Sequence, residues 1–405
     1  MRRPPGERRP LGVMAHTLGT RAGGHRALTR ASLGGLMLCW LACGEPGGPA
    51  AEAAIDAVSP PGDAAVAWRD HGTLPADADG LTPVVTVEVP EGARSLLVRM
   101  RPTEGQLPAS VCFALTTVEG PDGSPWHAPP EPTGAAGDEP LDQTGYALGQ
   151  WPRIGDPPLA PGSWRVRGAL VSCGSGAAAR IDGLPHDVLR LESAVLPELV
   201  GVPSLRVRRV FAPEIDAAQQ ARWDAAFAAA RRHFADTGLA VEEVAPLHLA
   251  PPVPPLAPLQ VGLGESTVDA LASVIDDHEP VEPIPTSVGV GDAALVVVVP
   301  CIDRITPGEG QTRLAGHATR LPGGPRLAGR ASFVVVGTST CEPPGDGDGE
   351  ALGRVIAHEL GHLLGLPHSA PPSVMAPSPN ASADPVAFTA AEAAALRVSP
   401  LVFGR

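Results

Sequence analysis

The 405-residue chain contains no lysine: all 30 basic residues are arginine, set against 44 Asp and Glu, for a net charge of −14. With that balance and no basic stripe interleaved with aromatics, nucleic-acid binding is excluded as a reading. Aromatics are scarce at 3%, and Tyr146 is the only tyrosine. No apolar stretch reaches the roughly 18 residues that a membrane-spanning helix needs. Cysteines number six, and none of the four beyond residue 43 has the Cys-x-x-Cys spacing of a thiolate zinc site. What is plentiful is glycine (47) and proline (48), which imply many turns and loops. A hydrophobic content of 43% is enough for real cores. At about 150 residues per domain, the length suggests two or three domains.

The first 30 residues carry seven Arg and one Glu, and Ala31 to Ala42 (ASLGGLMLCWLA) then forms an apolar run of signal-peptide length. Leu41-Ala42-Cys43-Gly44 follows, which resembles the cleavage box of bacterial lipoproteins, with Trp40 where that box usually has Leu. Residues 1–43 are therefore expected to be a signal peptide with Cys43 as the lipidation site. The protein is expected outside the cytoplasm, anchored to a bacterial membrane by lipid or else secreted. Losing seven Arg and one Glu lowers the net charge by six, to −20. Cys39 lies in the signal, which leaves Cys112, Cys173, Cys301 and Cys341. An even number in an exported chain favours two disulfides, with three possible connectivities.

Residues 44–80 are rich in Gly, Pro, Ala and Asp without helical or strand period, and read as a flexible tether. Residues 81–190 then carry short alternating β-rich runs (VVTVEV, SLLVRM, VCFALTTV, SWRVRGALV) broken by Pro/Gly turns, the pattern of an all-β sandwich domain. No catalytic constellation appears in it. Residues 204–405 read as α/β. LRVRRVF is a strand, Asp216 to Asp236 a helix presenting Trp223, Phe227, Ala230 and Phe234 on one face, and LAVEEV a second strand. Pro246 to Pro258 is too proline-dense for a helix or central strand and reads as an extended loop. Thr267 to Asp277 has helical spacing. The runs ALVVVV, ending at Val299, and SFVVVG (332–337) suit buried strands, with TRLAGHATR between them as an edge strand.

The chemistry lies in AHELGHLLGLPHSAPPSVM, Ala357 to Met375. Residues 350–364 are good helix formers, so His358 and His362, four apart, aim two imidazoles at one ion. Gly365 can take the left-handed conformation that ends a helix, and Pro367 discourages its continuation, so the chain can turn back and present His368 as a third ligand. Three neutral histidines leave one tetrahedral position for water, as a catalytic zinc site requires. Glu359, about 100° round the helix from His358, is placed to act on that water as general base. Asp346, Asp348 and Glu350 read as caps of this helix.

On these residues the chain resembles the metzincins, zinc endopeptidases defined by this extended motif and a Met-containing turn, over roughly Leu205 to Arg405. The resemblance implies Zn2+ held by His358, His362 and His368, Glu359 as general base, and Met375 of Ser373-Val374-Met375 as the apolar floor beneath the metal. It also implies a mixed five-stranded sheet over a zinc-binding helix. His368-Ser369 is closest to the matrixin branch. The chain departs from the family in having no Pro-Arg-Cys-Gly latency segment, and its sole tyrosine lies outside the domain. The metzincin sheet makes the strands before Cys301 and Cys341 parallel neighbours, so those two are expected to pair, and Cys112 with Cys173. Substrate is expected as an added strand along residues 312–319, with Gly316 permitting close approach. The expectation is a monomeric, exported zinc endopeptidase acting on protein or peptide. The alternatives are an inactive binding or adhesion lipoprotein on the same fold, and a structural protein with a zinc-stapled C-terminus.

Overall fold

The computed structural model describes residues 66–103, 111–127, 147–172, 189–249, 258–262, 271, 287–288, 293–306, 310–318, 333–338, 340–345, 348–377 and 386–405. Residues 1–43 with Cys43, the Thr267–Asp277 helix apart from helical Leu271, and Cys173 with its expected bond to Cys112 lie outside them.

The first nine strands are β1 (Val66–Ala67), β2 (Arg69–Leu74), β3 (Val85–Val89), β4 (Ala93–Pro102), β5 (Val111–Glu119), β6 (Pro125–His127), β7 (Ala147–Trp151), β8 (Gly162–Ser172) and β9 (Leu189–Pro197). They form two four-stranded sheets, in the orders β2-β9-β4-β7 and β3-β8-β5-β6, while β1 pairs elsewhere. The alternation read from the sequence is what closes them on each other. Leu96, Val98, Met100, Trp151 and Leu191 of one sheet bury against Val87, Phe113, Val118, Trp164 and Val166 of the other. Trp164 is fully buried, and its indole N–H donates to the Ala160 carbonyl at 2.9 Å.

Two boundaries differ from the sequence reading. The tether expected over 44–80 contains β2, whose polar Arg69-Asp70-His71-Gly72-Thr73-Leu74 shows no period because it is an exposed edge with a register shift between Asp70 and Thr73. Side chains hold it: Asp70 pairs with Arg190, and His71 Nε2 lies 2.8 Å from Ser193 Oγ. The last sandwich strand also runs beyond residue 190, to Pro197.

The α/β part has β10 (Pro203–Phe211), α1 (Ala217–Ala235), β11 (Ala240–His248), β12 (Leu259–Gly262), β13 (Ser287–Val288), β14 (Ala294–Val298), β15 (Ile302–Thr306), β16 (Gly310–Leu314), β17 (Gly316–Ala318), β18 (Phe333–Val336), α2 (Gly349–Leu363), α3 (Ala390–Leu396) and β19 (Val402–Gly404). Five strands follow the order β11-β10-β14-β18-β17, parallel except for the antiparallel edge β17. A sixth, β19, pairs antiparallel with the start of β10, so the sheet exceeds the five strands expected. The apolar runs occupy its middle, where every residue of β14 and β18 is buried.

β11 passes through Pro246 to His248, deeper into the proline segment than expected. It is an edge strand, and its register shifts opposite Arg208–Val210, the kind of site where a residue without an N–H is tolerated. TRLAGHATR also splits. β16 pairs with β15 in a separate sheet, β12-β15-β16, and only Gly316–Ala318 edges the main one, so the proposed substrate strand is three residues and not 312–319.

α1 begins in a reciprocal cap, in which Gln219 N donates to Asp216 Oδ1 and Asp216 N to Gln219 Oε1, each at 2.8 Å. Trp223, Phe227, Ala230 and Phe234 are buried, as their spacing requires. α2 lies against it at Gly353, where a methyl group would stand 2.8 Å from Ala226 O and 3.0 Å from Ala230 N, so the missing side chain sets how closely the helices approach. Asp348 does not cap α2 through its side chain, which accepts from Gly345 N at 2.7 Å. Glu350 pairs with Arg232 on α1, and Asp346 lies outside the described residues.

Candidate metal centre

α2 is buried on nearly every side from Val355 onward, which makes its polar side chains conspicuous: His358, Glu359 and His362 are each at most 7% exposed. The helix ends as its sequence requires. Gly365 has φ +100°, its N–H donates to His362 O at 2.8 Å, and Leu366 N donates to Gly361 O at 2.9 Å. This pair of bonds is the Schellman closure, which a residue with a Cβ would adopt only under strain. The chain then reverses and brings His368 back, exposed, to the two buried rings. The ligating atoms of His358, His362 and His368 all lie within 4.8 Å of one another. No other group of three or more such side chains is found among the described residues.

The ring nitrogens are assigned by their partners. His358 Nδ1 lies 2.7 Å from Val374 O, and His362 Nδ1 lies 2.7 Å from Leu366 O. A carbonyl only accepts, so each Nδ1 carries the proton and each Nε2 presents a lone pair. Those two Nε2 atoms face each other at 3.0 Å. Two buried acceptors at that distance with no proton between them suit a cation. Burial also disfavours charge on the rings: chiefly by desolvation, His358 is pushed down to about 4 and His362 to about 3, so both are neutral ligands at neutral pH.

Met375 is fully buried against Gly361 of the helix that carries His358 and His362. Its Sδ occupies the space that a side chain at Gly361 would take, so the second variable residue of the helix motif is small because the methionine packs against it. The turn is held from behind by Glu392, 1% exposed, which sequence reading missed. Glu392 accepts from Ser369 Oγ at 2.5 Å, from Ser373 Oγ at 2.7 and 2.8 Å, and from Thr389 N at 2.7 Å. Ser373 Oγ in turn accepts from Met375 N at 2.9 Å. One carboxylate thus ties the residue after His368 to the residue two before Met375. Thr389-x-x-Glu392 is a capping-box signature that marks the start of α3 from sequence, but it says nothing of the serines 19 and 23 residues away.

Cys301 and Cys341 form a disulfide with Cα atoms 4.7 Å apart, each just beyond the end of one of the parallel neighbours β14 and β18.

Residues 302–393 match the family model of the matrixins, Peptidase_M10. The matched span contains the three histidines, Glu359, Met375 and Glu392, together with the edge strand β17. A search of curated proteins finds no match to the chain. The family match over 302–393 and the three-histidine cluster make this part of the chain metzincin-like, with zinc as the metal its histidines suit.

Proposed function

We propose that the chain is an exported zinc endopeptidase in which Glu359 is the general base. The observation that carries this reading is the buried pair of facing Nε2 atoms of His358 and His362, with both Nδ1 protons committed to carbonyls, His368 alongside and Glu359 next in the helix. Zinc bound there would supply Lewis acidity, lowering the pKa of a water toward neutrality and polarising a scissile carbonyl.

The protein groups do the rest. His358 and His362 remain neutral and are fixed by their carbonyl partners, with His368 beside them. Glu359 takes the proton of the attacking water and passes it to the departing amine, so no net proton is consumed at the carboxylate. The outer edge of β17, which pairs with no other described strand, offers backbone groups to an extended peptide. A zinc-stapled structural protein would need neither an exposed third ligand nor a carboxylate beside the cluster. The Cys301–Cys341 disulfide fits an oxidising compartment, in keeping with a leader over residues 1–43 and a lipid on Cys43.

The test is cleavage of an unfolded protein, reduced and alkylated casein, by the purified chain. Cleavage should stop with a chelator and return with stoichiometric zinc. Absence of cleavage by a fully zinc-loaded chain would favour the binding or adhesion alternative.

A further inference from the structure

We propose that Gly316 is a positioning residue for Glu359, and that the bare backbone of the edge strand is the seat against which the carboxylate is held. This rests on the reading of Glu359 as the base and adds a residue to it. A Cβ at Gly316 would lie 2.5 Å from both Glu359 Cγ and Oε1, and 2.7 Å from Cδ. Real Cβ atoms do not approach heavy atoms below 3.0 Å, so the position excludes any side chain while Glu359 stays where it is.

Backbone conformation does not explain the glycine, since Gly316 is not among those with positive φ. Secondary structure does not explain it either, because glycine inside a strand sacrifices conformational entropy and packing. Space for the carboxylate is what remains. The strand cannot easily give way, so it is the end of the Glu359 side chain that a methyl group here would displace. Gly316–Ala318 is registered on Val334–Val336, and Gly337 N donates to Ala315 O at 2.9 Å. Glu359 projects from the buried middle of α2. The strand proposed to receive substrate therefore also fixes the base, and one missing methyl group sets their separation.

The experiment combines kinetics with a double-mutant cycle on zinc-loaded protein: wild type, Gly316→Ala, Glu359→Ala, and the two together. Gly316→Ala should bind one zinc per chain, lose at least about tenfold in kcat and change KM by no more than about twofold, since the contact displaces the base and not the peptide. Its melting temperature should fall relative to wild type, and that fall should largely vanish on the Glu359→Ala background, where Cγ is gone. Failure of Gly316→Ala to fold, with recovery in the double variant, supports the proposal equally. Wild-type kcat in Gly316→Ala, or an equal loss of stability or of folding on both backgrounds, overturns it, because the glycine then serves the strand alone. If Glu359→Gln keeps turnover while the coupling persists, the base assignment fails and the packing of Gly316 on Glu359 does not.

Discussion

The metal centre depends on carbonyl oxygens deciding where ring protons sit. Val374 O and Leu366 O hold the protons of His358 and His362 on Nδ1, and burial keeps both rings neutral. This has a consequence for the metal-free chain. In the unfolded state both histidines titrate near 6.5, while in the fold they resist protonation until about pH 4 and about pH 3. Between those limits the unfolded chain binds more protons, so stability is lost as pH falls from 6.5 toward 3 and regained as it rises. The melting temperature of the metal-free protein should drop across this window, and less steeply when both histidines are replaced by Asn. Equal slopes would mean that the two rings are not shielded. The clustering of His358, His362 and His368 was legible in the sequence because one helix and one turn fix their spacing. Gly316 was legible only as a place of close approach, and the structure adds that Glu359 packs against it.

At the level of elements, what sequence periodicity reveals is burial on a regular face. The strands β14 and β18 and the helix α1 declare themselves in this way. β2 does not, being polar and held by side-chain bonds, and the division of TRLAGHATR between two sheets follows from pairings that local pattern does not encode. The same holds for the support of the Met375 turn, where Glu392 of α3 gathers Ser369 and Ser373. Partners that orient ligands typically contribute 10- to 100-fold in metal affinity. Glu392→Ala should therefore weaken zinc binding by about 10-fold or more, as read by competition with a chromophoric chelator. Glu392→Gln, which keeps an acceptor oxygen, should lose less. Unchanged affinity in Glu392→Ala would show that the turn holds itself.

Over the whole described molecule, the sandwich and the α/β part are joined by a contact between residues about 300 apart. Arg94, at the start of β4, donates to Arg397 O at 2.9 Å and to Val402 O at 2.8 Å, the first ending α3 and the second lying in β19. Burial pushes its guanidinium down to about 10, still charged at neutral pH. Hydrogen bonds from a charged donor contribute about 1.5–3 kcal/mol, and removing this one leaves two carbonyls short of a partner. Arg94→Ala should accordingly lower stability by about 2–4 kcal/mol in denaturant unfolding. A change within about 0.5 kcal/mol would mean that solvent satisfies those carbonyls as well as Arg94 does. Nothing in the sequence marks Arg94 apart from the other 29 arginines, because its role depends on where the C-terminus returns.

The central claim is that Glu359 moves a proton while the histidines hold the metal, and the most direct measurement is zinc content and peptidase turnover determined together on Glu359→Gln. The substitution keeps the size of the side chain and removes the base. The account predicts one zinc per chain with turnover reduced by at least about 10²-fold, whereas His362→Ala should lose zinc and activity in parallel. Full turnover by Glu359→Gln at full zinc occupancy would contradict it.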